Sequence, residues 1–160
     1  MAVATLELSL PVALSLLSDL VGKKVTGQEA AAVDLAAETS FVRGTYLGDL
    51  QPAALFYMDV GLAASLGAAL VMMPAGLVKE SVQEKNLLPM LIDNSYEVLN
   101  VISRFINRAG GVHYKLREQV LPGQPLPADF AEVADGASER VDLALNVDGY
   151  IGGVLTILVK

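Results

Sequence analysis

The chain contains no cysteine, no tryptophan and only one histidine, His113. The lack of cysteine excludes disulfides, thiolate metal sites and cysteine nucleophiles, and a single histidine excludes any site that needs two imidazoles. Positive charge is also scarce, because 11 Lys and Arg stand against 18 Asp and Glu, for a net charge of -7 and a pI of about 4.6. This balance argues against nucleic-acid binding and against attraction to anionic lipid headgroups. Neither nucleic acid nor a membrane is therefore an expected partner.

Apolar residues make up 53% of the chain and the mean hydropathy is +0.49, so a membrane span has to be considered. The run from Val60 to Val78 is uncharged, but it is interrupted by Gly and Pro and rich in Ala, so its burial in lipid would gain little. A buried helix is the favoured interpretation. The N-terminus carries Glu7 and no early positive charge, unlike a signal peptide, which predicts a cytoplasmic protein.

The length of 160 residues suits one domain, predicted to cover residues 1–160. Segment 28–38 is open to either a helix or a strand, and segment 121–140 is predicted to be an exposed connection. Hydrophobic periodicity predicts three helices, over 10–21, about 61–73 and 87–108. The second is Ala/Gly-rich and ended by Pro74, and the third is ended by Gly110 and Gly111. Periodicity also predicts a hairpin from 40–47 and 53–60, a strand over 112–120, and a closing hairpin from 141–147 and 151–159. Together they predict an α+β protein with long helices packed on one face of an antiparallel β-sheet.

The helix predicted over 87–108 carries a polar stripe, which we define as Asp93, Glu97, Asn100 and Arg104. These positions fall at i, i+4, i+7 and i+11 and share one helix face. A solvated face is the ordinary explanation for such residues. Two details weaken it. The like charges of Asp93 and Glu97 cost about 0.2 to 0.5 kcal/mol, and Asn is a mediocre residue inside a helix.

The stripe offers little chemistry of its own. It has no good nucleophile, and two carboxylates without a nearby histidine make a poor metal site, so no metal is expected. Glu97 can pair with a cation on a partner, and the amide of Asn100 can orient a water molecule against a substrate held elsewhere. The stripe could therefore supply half of an active site.

The pattern Asp93-x3-Glu97-x2-Asn100, followed after 21 residues by Pro122, resembles the signature of the CheC and CheX chemotaxis phosphatases. The order of the predicted elements over residues 10 to 159 is also similar to that of CheX. Only one Glu-x2-Asn unit is present, which resembles CheX more than the doubled CheC.

The resemblance implies hydrolysis of the aspartyl phosphate of a CheY-type response regulator. Glu97 would bind a regulator lysine and Asn100 would position the attacking water, with Asp93 and Pro122 as supporting residues. The chain would need no cofactor of its own, since Mg²⁺ would belong to the regulator. The resemblance further implies a strand at 28–38 and a homodimer formed through sheet edges.

The sequence departs from the family pattern after Asn100, where small residues are usual and this chain has Val101 to Phe105. Arg104 could contact acidic groups around a regulator's phosphorylation pocket, or it could pair with Asn100 or Glu97 and block insertion. A non-catalytic adaptor of the same fold, binding a response regulator or a flagellar switch component, is the alternative function. A structural domain with a solvated helix face is the third.

Overall fold

The computed structural model describes residues 10–36, 38–107 and 113–160. Short 3-10 turns lie at Glu38–Ser40 and Ala128–Phe130. In these ranges the helices and strands are, in chain order, α1 (Leu10–Val21), β1 (Val25–Glu29), β2 (Phe41–Gly48), β3 (Gln51–Asp59), α2 (Val60–Leu70), α3 (Ala75–Glu84), α4 (Pro89–Asn107), β4 (Tyr114–Val120), α5 (Ala131–Gly136), β5 (Glu139–Val147) and β6 (Gly153–Val159).

The strands form one six-stranded sheet in the order β1-β5-β6-β3-β2-β4, and every neighbouring pair is antiparallel. The closing hairpin β5–β6 enters the middle of the sheet, where β6 pairs with β3 from Met58↔Leu155 to Ala54↔Val159. Strands β1 and β4 are the two edges. The predicted fold class, an antiparallel sheet with long helices on one face, is confirmed.

The main core lies between the sheet and helices α1, α2 and α4. Strand β3 shows how the sequence builds it, because alternate residues of a strand point to opposite faces. Ala54, Phe56 and Met58 belong to the helix-side core, whereas Leu55 and Tyr57 belong to a second cluster. Both faces of the central strands are therefore apolar and both require a cover.

The second face is covered by part of segment 121–140, for which an exposed connection was the expectation. That expectation is wrong for the middle of the segment, because Phe130 and Val133 are 0% exposed and pack against Leu55, Tyr57 and Leu158. The covering elements are a single 3-10 turn and the six-residue α5. Elements this short show no clear hydrophobic period, which is why the sequence pattern did not reveal them.

Segment 28–38 is not the predicted strand. The strand, β1, lies earlier, and residues 30–36 are irregular, with no description for residue 37. The irregular segment is fixed to the second sheet face by side-chain contacts: an Asp142 oxygen accepts from the Val33 amide at 3.3 Å, and Arg140 donates to the Val33 carbonyl at 2.6 Å. Such long-range contacts leave no local sequence pattern.

Helix α3 was missed, since Pro74 was expected only to end the preceding helix. Pro74 instead precedes the first turn of α3, with φ of -61°, a value compatible with a helix start. Only Val78 and Ser81 of α3 are buried, so its apolar pattern is weak.

Helix α2 bears out the buried-helix interpretation of the uncharged run. Nine of its eleven residues are buried, and its N-terminus is capped by Asp59, whose carboxylate accepts from the Leu62 amide at 2.9 Å. Burial raises the pKa of Asp59, and hydrogen bonds from Leu62 and Val154 partly offset this effect. In the ranges covered by the structure, no helix has both the length and the apolar content required to cross a bilayer.

Candidate functional site

The polar stripe lies on the solvent side of α4, as its spacing predicts. Asp93, Glu97, Asn100 and Arg104 are all exposed. The opposite side of the helix enters the core through residues that recur at three-and-four spacing, namely Leu91, Ser95, Val98, Leu99 and Ile102. The helix is described as far as Asn107, and the predicted terminators Gly110 and Gly111 lie outside the described residues.

The side chains of the stripe are not engaged with each other. Among the residues described, no hydrogen bond or ion pair joins Arg104 to Glu97 or Asn100, and none joins Asp93 to Arg104. Of the two arrangements open for Arg104, the structure therefore does not contain the one in which its guanidinium pairs with Asn100 or Glu97. The carboxylate and the amide remain accessible to a partner.

The N-terminal half of α4 is held against α2 through a small residue. A Cβ added to Gly67 would lie 3.4 Å from the Asn94 Cβ and 3.4 Å from the Ser95 nitrogen, so the two backbones approach closely. Before the helix begins, the Ser81 hydroxyl accepts from the Leu88 amide at 3.1 Å. These contacts fix where α4 starts.

The turn that carries Asn100 is held from the sheet by Tyr46 of β2. The buried Tyr46 hydroxyl donates to the Leu99 carbonyl at 2.6 Å, and its ring lies 4.9 Å from that of Phe56. Burial raises the pKa of Tyr46 well above its ordinary value, with a smaller contribution from Tyr96, so the hydroxyl stays protonated and can donate at neutral pH. Hydrophobic periodicity does not predict this contact between β2 and α4, because Tyr46 and Leu99 are far apart in the sequence.

Pro122 lies in a turn that follows β4. Gly123 has φ of +85° and the Gln124 amide donates to the Leu121 carbonyl at 3.1 Å, the arrangement that favours Pro followed by Gly in a type II turn. The buried Arg43 guanidinium donates to the Leu121 carbonyl at 3.1 Å and to the Gln124 carbonyl. Pro122 thus has a structural reason to be present.

Pro122 also lines a cleft of about 740 Å³ between the start of α2 and the end of α3. Asp59, Lys85 and Ile151 are among the other residues of this cleft, and no stripe residue lines it. The structure therefore brings Asp93, Glu97, Asn100 and Arg104 together on one surface, and Pro122 lies in a turn that borders this cleft.

Two exposed side chains beside the stripe were not identified from the sequence as part of this surface. Tyr96 is 41% exposed and Met90 is 53% exposed. Tyr96 follows Asp93 by three residues and precedes Asn100 by four, so it neighbours both on the helix surface. An aromatic residue in the polar sector of the helix was the available signal. Exposed Tyr and Met are residue types enriched at protein interfaces.

This surface offers a carboxylate pair, an amide and a guanidinium but no nucleophile. In residues 10–36, 38–107 and 113–160, no group of three or more His, Asp or Glu side chains is placed to hold a metal ion. Carboxylate, guanidinium and amide groups are suited to pairing with a charged partner and to hydrogen bonding with a small molecule.

No protein-family model matches the sequence, and a search of curated proteins found no match. Solved structures do match. The FliM middle domain of Vibrio alginolyticus superposes with a TM-score of 0.58 at 11% identity, covering 94% of this chain and 87% of that one. The chain has the fold of the FliM middle domain. The FliG–FliM complex of H. pylori gives a TM-score of 0.50 at 8% identity, with 92% and 84% covered.

The CheX–CheY–BeF3–Mg²⁺ complex of Borrelia burgdorferi gives a TM-score of 0.51 at 15% identity, covering 92% of this chain and 91% of that chain. At such identities the likeness concerns the fold. The resemblance to CheC and CheX drawn from the sequence is confirmed at that level, and the roles of the stripe residues stay predictions.

Proposed function

We propose that the protein is a CheX-like phosphatase that hydrolyses the aspartyl phosphate of a CheY-type response regulator. The observation that carries the proposal is that Glu97 and Asn100 lie exposed on one face of a fixed helix, with no bond to Arg104. The fold adds support, because it is also found in the CheX–CheY–BeF3–Mg²⁺ complex of Borrelia burgdorferi.

In the proposed complex, α4 faces the regulator's phosphorylation site. Glu97 pairs with a regulator lysine and holds the two proteins in register. Asn100 enters the site, where its amide positions a water molecule in line with the phosphorus atom. Asp93 adds negative charge beside Glu97, and Arg104 contacts acidic groups at the rim of the pocket. Pro122 supports the fold from its turn.

The water attacks phosphorus, the bond from phosphorus to the aspartate oxygen breaks, and phosphate leaves the regenerated carboxylate. Mg²⁺ held by the regulator would neutralise negative charge on the phosphoryl oxygens. The protein itself contributes docking and water orientation. This division of labour agrees with a surface that has an anion and an amide but no nucleophile.

The alternative proposal is an adaptor that binds a response regulator or a flagellar switch component without hydrolysis. It is favoured by the structural likeness to FliM middle domains, one of them in complex with FliG. Either function would place the protein in the cytoplasm beside its partner. A homodimer through the edge strands β1 and β4 stays a prediction.

The test uses a phosphorylated CheY-like receiver domain mixed with wild type, Glu97→Ala or Asn100→Ala. Because a hydrogen-bonding group that positions water is lost, Asn100→Ala is expected to slow dephosphorylation by about a hundredfold while leaving affinity for a BeF3-activated receiver unchanged. Because a charge pair at the interface is lost, Glu97→Ala is expected to weaken that affinity by about tenfold, or ~1.4 kcal/mol.

Matched controls are Glu80→Ala, an exposed glutamate on α3, and Asn146→Ala, an exposed asparagine on β5. Both should behave as wild type. Equal dephosphorylation by all five proteins would refute the assigned roles. Binding to the receiver without any change in the lifetime of its phosphoryl group would support the adaptor function instead. No affinity for either form of the receiver would support a structural domain whose polar helix face is merely solvated.

A further inference from the structure

We infer that Tyr46 is a positioning residue for the proposed reaction, holding the turn of α4 that presents Asn100 to the phosphoryl group. The inference rests on the proposed function and extends it to a residue that lies under the helix, where it touches neither substrate nor water. Tyr46 belongs to β2, so the sheet, through this residue, would set where the amide of Asn100 stands.

The geometry singles out one peptide group. The Tyr46 hydroxyl donates at 2.6 Å to the carbonyl of Leu99, which is the residue directly before Asn100. The carbonyl of Asn100 itself accepts from the Ser103 hydroxyl at 2.7 Å. Two consecutive carbonyls of α4 therefore receive side-chain hydrogen bonds, one from the sheet and one from the helix itself.

A helix carbonyl already has a partner in the amide four residues later, so these bonds are additional to the helical ladder. The hydrogen bonds within the helix move with it and do not fix its position relative to the sheet. The hydrogen bond from Tyr46 does, because β2 belongs to the sheet. Tyr46 is itself immobile, since it is fully buried and its ring packs on that of Phe56. The helix is thereby fixed along and around its axis at the level of Asn100.

Gly44 belongs to the same arrangement. It faces α4 from β2, two residues before Tyr46, and a Cβ there would lie 3.0 Å from the Tyr46 hydroxyl and 3.1 Å from a methyl carbon of Leu99. The absence of a side chain lets the phenol reach the helix backbone. A sheet residue that only filled space would not need the hydroxyl or this gap.

The test compares Tyr46→Phe with Thr45→Val in steady-state dephosphorylation of a receiver domain. Phe keeps the ring and removes the hydroxyl. Thr45 is the matched control, because among the described residues its buried hydroxyl bonds within the sheet, to the Glu118 carbonyl and amide at 3.2 Å each. Both variants lose the hydrogen bonds of a buried hydroxyl group on adjacent residues of β2. Tyr46→Phe loses a bond to α4, whereas Thr45→Val loses bonds to β4.

Since small displacements of a positioning group are costly, Tyr46→Phe is expected to lower kcat by about tenfold, with KM and the affinity for a BeF3-activated receiver changed by less than about twofold. Thr45→Val should keep both constants within about twofold of wild type, even if it unfolds at lower urea. Partial unfolding would also lower the apparent kcat without changing KM, so kcat is expressed per folded molecule, with the folded fraction of each variant measured by circular dichroism under the assay conditions.

If wild type is active and Tyr46→Phe matches Thr45→Val, the inference is wrong and the proposed function stands. The same holds if Tyr46→Phe raises KM and leaves kcat unchanged. If wild type itself does not shorten the phosphoryl lifetime, the proposed function fails and the positioning role fails with it.

Discussion

Replacing Gly44 by Ala should destabilise the protein, although alanine is ordinarily the better residue in a strand. In open space, Ala for Gly gains about 0.5 to 1 kcal/mol through a less flexible unfolded chain. At Gly44 the new methyl carbon would stand 3.0 Å from the Tyr46 ring and hydroxyl and 3.1 Å from Leu99. Overpacking of this kind costs about 1 to 3 kcal/mol. The expected net loss is on the order of 1 kcal/mol, and at most about 2.5 kcal/mol.

The measurement is the free energy of unfolding from urea titration followed by circular dichroism. The matched control is Gly76→Ala, since a Cβ at Gly76 of α3 has no atom within 4 Å and the backbone is helical. This control should gain up to about 1 kcal/mol. A Gly44→Ala variant as stable as Gly76→Ala would show that β2 and α4 are not packed as closely as the structure has them.

Two further predictions concern parts of the fold outside the stripe. Leu50→Gly should stabilise the protein by about 0.5 to 1 kcal/mol in urea unfolding. The reason is that Asp49 and Leu50 form the β2–β3 turn with φ of 50° and 66°, and Leu50 is 87% exposed. A loss of stability would show that the Leu50 side chain makes stabilising contacts. Burial opposes ionisation of Asp142, but hydrogen bonds from Arg140, Thr156 and Val33 outweigh it and lower its pKa below 3.8. The ionised Asp142 should therefore contribute its full stabilisation above pH 3.8, and this contribution should decline as the pH falls towards the pKa of Asp142 in the folded protein. In Asp142→Asn, the urea midpoint of unfolding should fall less steeply with decreasing pH in this range than in wild type. An unchanged slope would contradict the assignment.

Elements with a sustained period could be predicted from the sequence alone. Helix α1 is found at Leu10–Val21, as its spacing indicates, and the two hairpins lie within two residues of their predicted ends. The exposed sector of α4 was predictable for the same reason, since position around a helix depends only on spacing along the chain.

Other features depend on partners distant in sequence. The cover of the second sheet face by Phe130 and Val133 is required only because β3 lies in the middle of the sheet, which follows from the pairing of β6 with β3. The displacement of β1 to Val25–Glu29 depends likewise on its pairing with β5. No local pattern reports such pairings.

Spacing along the chain is enough to place Asp93, Glu97, Asn100 and Arg104 on one face of a helix, because a helix has about 3.6 residues per turn. The folded chain was needed to show that this face is open to solvent without an internal ion pair, that Pro122 lies in a turn after β4, and that Tyr46 donates to the carbonyl before Asn100. The physical reason is the separation along the chain. A helical period depends on residues three or four positions apart, whereas the buried hydrogen bond between residues 46 and 99 forms only when β2 and α4 have packed together.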